Sequence, residues 1–98
     1  MKKTFKLTHP KIKYARLIDA TKHEVKKYLR RERNKQLPDG TDFWDFDCKY
    51  GVTESEAQIT QLTDINKHID EAAELNLMSF YLEILAKPGK RKPKEEEK

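Results

Sequence analysis

Phe43-Trp44-Asp45-Phe46-Asp47-Cys48-Lys49-Tyr50 is the stretch that decides the fold. Trp44, Phe46, Cys48 and Tyr50 fall on one side of an extended chain. Phe43, Asp45, Asp47 and Lys49 fall on the other. That period of two predicts a half-buried strand, and no other segment alternates so cleanly. By this alternation Cys48 faces inward as a buried structural thiol, and Asp45 and Asp47 face solvent. Gly51 sits in the turn that follows. Residues 55–61 read as a weaker second strand, with Ala57 and Ile59 inward and Gln58 and Thr60 outward, closing a hairpin.

Upstream, Lys-Thr-Phe-Lys-Leu-Thr (3–8) alternates too, until His9-Pro10 breaks it. Tyr14, Ile18, Thr21, Val25, Tyr28 and Leu29 then recur at spacings of three and four, an amphipathic helix from Tyr14 to about Gln36. Leu37-Pro38-Asp39-Gly40 ends it. Downstream, Thr63 is a candidate N-cap for a short helix carrying Ile65, Ile69, Ala72 and Ala73, closed by Asn76 in a left-handed conformation. Residues 77–86 form the last strand. The element order β-α-β-β-α-β predicts an α+β, ferredoxin-like domain. Its four-stranded antiparallel sheet has order 4-1-3-2 and both helices on one face. Residues 1–87 make this single domain, and the charged stretch 88–98 is read as a disordered tail.

Leu, Ile, Val and Phe account for 21 of 98 residues, enough for a thin core. A single cysteine excludes a disulfide framework and a cysteine-rich zinc site. The basic start has no apolar run behind it, so it is not a signal peptide. No stretch approaches the length of a membrane span. The expectation is a cytoplasmic protein with no membrane association.

The net charge of +4 hides a strong segregation. Residues 11–35 carry ten basic side chains against Asp19, Glu24 and Glu32, whereas residues 39–83 carry eleven acids against Lys49 and Lys67. The basic excess concentrates on the first helix. Lys22, Lys26, Arg30 and Arg33 run along one flank, and Lys27, Arg31 and Lys35 cover the other. These seven are the candidate contacts to an anionic partner, nucleic acid or ribonucleoprotein first, an acidic protein second. The competing reading is a solvated helix surface that offsets the acidic remainder.

Other chemistry is thinner. Asp45 and Asp47, with His9 or His68, are the candidates for a metal-dependent or acid–base enzyme; the bland alternative is an edge strand protected by charge. The three glycines form no phosphate cradle, the histidines match no zinc spacing, and no cofactor is expected. A base-stacking sheet would need exposed rings on its central strands, and Thr4, Lys6, Gln58 and Thr60 supply none. A third reading is a homodimer, through the edge of the last strand or through Tyr81, Leu85 and Phe43.

The runs Lys-Tyr-Leu-Arg-Arg-Glu-Arg-Asn-Lys-Gln-Leu-Pro (27–38) and Asp-Phe-Trp-Asp-Phe-Asp-Cys-Lys-Tyr-Gly (42–51), with the opening Lys-Thr-Phe-Lys-Leu-Thr-His-Pro-Lys-Ile-Lys (3–13), resemble a family of short uncharacterised bacterial proteins. The resemblance spans about residues 3–86. It implies a bacterial cytoplasmic origin and carries no activity, cofactor or catalytic residue with it.

Overall fold

The last strand organises the molecule. In the computed structural model, which describes residues 1–90, β4 (Ser79–Gly89) has Phe80, Leu82 and Ile84 buried on one face and Tyr81 buried on the other. A long strand with this much buried side-chain area belongs in the middle of a sheet, where both of its edges find partners. It is flanked by β1 (Lys2–Lys6) on one side and β2 (Phe43–Gly51) on the other, and β3 (Gln58–Thr60) completes the far edge. All pairings are antiparallel, in the order β1-β4-β2-β3.

This corrects the expected order 4-1-3-2. β1 and β2 still run in the same direction, joined by α1 (Tyr14–Arg33) with one strand between them. β3 and β4 are joined in the same way by α2 (Ile65–Glu74). What changes is which strands are central. β3 has only three residues and leaves Ile59 85% exposed, so it cannot sit between two neighbours without burying backbone it does not have. β4, with eleven residues, takes the central place beside β2.

β3 also faces opposite to its expected sense. Cys48 pairs with Thr60 and Lys49 with Ile59. Cys48 points to the helices, so Thr60 does as well, and Ile59 joins Lys49 on the open face. A short 3₁₀ turn, Glu54–Glu56, takes up the residues between the strands and sets this register. A second one, Leu62–Asp64, leads into α2.

Both helices cover one face. Ile18 and Val25 of α1 and Ile65, Ile69 and Ala72 of α2 pack with Phe5, Phe46, Cys48, Phe80, Leu82 and Ile84 in one cluster. The rings of Phe5 and Phe80 stack 5.3 Å apart across the β1–β4 pair. The Tyr14 hydroxyl donates to the Ala72 and Leu77 carbonyls, tying the start of α1 to the end of α2. Asn76 takes a positive φ of 52° there, as its position after the helix requires. β4 continues through Pro88 and Gly89, past the expected start of the tail; residues 91–98 of that tail lie outside the described residues.

Candidate functional site on the basic helix

α1 runs twenty residues because its apolar positions keep helical spacing and its interior has no glycine or proline. Its C-terminal half is pinned at two points. The Tyr28 hydroxyl donates to the Ile84 carbonyl at 3.2 Å, and the Trp44 indole N–H donates to the Lys35 carbonyl at 2.9 Å. Trp44 is therefore a half-buried structural ring that caps the helix end. Arg30, Arg31 and Arg33 occupy the last turn, where cations favour the negative end of the helix dipole.

The seven cations divide by partner. Lys22 meets Asp70 of α2 at 2.5 Å, and Lys35 meets Glu32 at 2.8 Å. Arg31 lies over the Tyr28 ring at 5.6 Å and Arg33 over the Phe46 ring at 5.5 Å, contacts that fix the guanidinium groups and leave their charge unneutralised. Lys26, Lys27 and Arg30 are exposed. Among the described residues no carboxylate forms an ion pair with Lys26, Lys27, Arg30, Arg31 or Arg33.

The flank that faces α2 is concave. Two adjoining hollows of about 450 and 290 Å³ share Lys26 and Leu29, the first reaching Leu62, Ile65 and Asn66 and the second Arg30, Arg33 and Asn34. Leu62 was legible only as a connecting residue between strand and helix. Its place in the wall of a groove depends on how the two helices cross, which no local pattern encodes.

The acidic candidates have other employment. Asp45 and Asp47 are exposed on the open face. Asp45 accepts the Phe46 backbone N–H at 2.8 Å, and Asp47 pairs with Lys87 at 2.8 Å. That contact, with Asp47 its first cause, raises the Lys87 pKa. His9 accepts the backbone N–H groups of Lys11 and Ile12 through Nδ1, an arrangement that shapes the loop before α1. His68 stands on the other side of the sheet, with Nε2 2.7 Å from the Thr60 hydroxyl and its ring stacked on Tyr50 at 4.5 Å. Among the described residues no group of three or more His, Cys, Asp or Glu side chains is placed to hold a metal ion. Cys48 is buried, and that burial pushes its thiol up to about 11, helped by Asp47 and Asp45.

The last strand is not the edge of the sheet as expected, since β1 pairs with it over Ser79–Glu83 and β2 over Tyr81–Gly89. Tyr81 is only 3% exposed, with its hydroxyl donated to Glu83 at 2.8 Å, so it is withdrawn from any face contact. Among the described residues no helix is long and apolar enough to cross a membrane.

No curated protein and no solved structure matches the chain. A family model does: it covers residues 1–95, and the chain belongs to DUF6172, a family of unknown function.

Proposed function

We propose that the protein is a small non-catalytic binding module whose α1 contacts an anionic partner, with nucleic acid or ribonucleoprotein as the partner class. The observation that carries this reading is that five of the seven cations form no ion pair with a carboxylate among the described residues. The chain holds eleven acids between residues 39 and 83, yet among the described residues the ion pair that joins them to α1 is that of Asp70 with Lys22. A surface that merely offset the protein's own acids would spend its cations on them. Lys26, Lys27 and Arg30 present theirs to solvent, Lys26 and Arg30 on the flank that faces α2 and Lys27 on the other. Phosphate contacts of this kind are electrostatic and insensitive to base sequence.

The test is retention on heparin and a gel-shift salt series with a random-sequence oligonucleotide. Binding is expected at about 50 mM salt and should fall steeply towards 200 mM. Lys27→Gln with Arg31→Gln should flatten the salt slope by about two charges. Absence of any shift at about 50 mM salt, where phosphate contacts are strongest, would overturn the proposal.

A further inference from the structure

We infer that the groove between α1 and the start of α2 is a docking site for an acidic amphipathic helix of a partner protein; its rim shares Lys26, Arg30 and Arg33 with the basic surface proposed above, whose Lys27 and Arg31 lie outside it. The two adjoining hollows run along α1 from Lys22 to Asn34. Twelve residues of helix span about 18 Å, or some three turns of a ligand helix lying alongside. The floor is apolar, built from half-buried Leu29 and Leu62 above buried Val25 and Ile65.

The rim has one sign. Lys26, Arg30 and Arg33 recur at spacings of four and three along the α1 side, and none has a carboxylate partner among the described residues. The facing wall offers the neutral Asn66. A helix bringing leucine-like side chains at i, i+3, i+4 and i+7, with carboxylates on the adjoining side, would fill the floor and pair with the rim at the same periodicity.

Nucleic acid fits this groove poorly. Among the residues lining the two hollows the one ring is His23, at the Lys22 end, so successive unstacked bases would find no run of platforms along the groove. A second copy of this chain fits no better. Its α1 repeats the same positive charge, and its acidic helix, α2, has Ile65, Ile69 and Ala72 buried in its own core.

The experiment is a titration of ¹⁵N-labelled protein followed by amide chemical shifts. The probe is a peptide of about fourteen residues, with leucines at the spacing above and glutamates elsewhere. The control replaces every glutamate by lysine, and a single-stranded oligonucleotide is titrated in parallel. The acidic peptide should shift the amides of Leu29, Leu62 and Asn66 and saturate, with Kd below about 1 mM. The lysine peptide should leave them in place.

Lys26→Glu with Arg30→Glu, both exposed and safe for folding, should weaken the acidic peptide at least roughly tenfold. Leu62→Asn should abolish its binding. Lys27→Gln with Arg31→Gln should weaken the oligonucleotide and leave peptide affinity unchanged. Silence of the groove amides up to about 1 mM acidic peptide, equal binding of the lysine peptide, or occupation of the groove by the oligonucleotide would each overturn the inference. Failure of the oligonucleotide alone would count against the proposed nucleic-acid contact and leave the groove standing.

Discussion

Cys48 offers the most direct probe of the sheet's register. It is 2% exposed, pairs with Ile84 on one side and Thr60 on the other, and its Sγ has only the Phe46 carbonyl at 3.9 Å as a weak partner. A thiol-specific reagent needs the thiolate and must wait for the strand to open. A domain of this size holds about 5–10 kcal/mol, so labelling at about pH 8 should be slower than in denaturant by roughly a thousandfold or more. Cys48→Ser should cost about 1–3 kcal/mol, because the hydroxyl gains no well-placed acceptor. The thiol also gives a pH signature. It is neutral when protonated, and burial raises its folded pKa to about 11 from 9.0. Its contribution is therefore fully present below pH 9 and lost as pH rises towards 11, by about 2–3 kcal/mol. Denaturant melts of wild type and Cys48→Ala across that range should converge as the thiol ionises. Labelling within tenfold of the denatured rate while the circular dichroism stays native would refute the register, since Asp45 and Asp47 would then have to face the core.

Gly51→Ala should destabilise by about 1–3 kcal/mol in urea, as the new methyl would stand 2.6 Å from the Ala57 backbone and force the β2–β3 connection apart. Asn76→Gly should be neutral or slightly stabilising, and Asn76→Val should cost about 1–2 kcal/mol, because φ at that position is 52°. The Tyr81 hydroxyl, pushed up to about 12 by burial and by its bond to Glu83, should keep its proton in the folded state. Its stabilisation is present below pH 10 and lost between 10 and 12, so in a Cys48→Ala background the remaining alkaline loss should track tyrosinate absorbance and shrink in Glu83→Gln.

How far the sequence was legible follows from what local patterns encode. The alternation of Trp44, Phe46, Cys48 and Tyr50 names a strand and its buried side, and the spacing of Ile18, Thr21 and Val25 names a helix face; both agree with the structure. The strand order is a property of pairs, and element order alone leaves two arrangements with identical strand directions. The deciding signal was Tyr81 beside Leu82 and Ile84, a large ring buried on the mixed face of the longest strand, which belongs in the centre. β3 misled because Ala57-Gln58-Ile59-Thr60 has a single large apolar residue. Thr60 turns inward to meet His68, and Ile59 is left outside. The candidate cations were legible by composition, but which of them remain unpaired depends on where α2 places Asp70.

The charge segregation of the chain becomes a charge separation in space, and this is why it does not cancel. Strand alternation turns Asp45, Asp47 and Glu83 onto the open face of the sheet, where Lys49 and Lys87 share the surface with them. The apolar face of α1 is committed to the core, so the exposed Lys26, Lys27 and Arg30 lie off that face, on the helix flanks and outer side. A helix about 10 Å across, lying about 10 Å above the sheet, sets the two groups more than about 15 Å apart. The Debye length at physiological salt is about 8 Å, so through solvent each group scarcely feels the other. Among the described residues the ion pair between α1 and the acids of the neighbouring helix, α2, is Lys22 with Asp70. Lys26, Lys27, Arg30, Arg31 and Arg33 form no ion pair with a carboxylate among the described residues, whereas reversing Lys22 would break a bridge that spans the two helices.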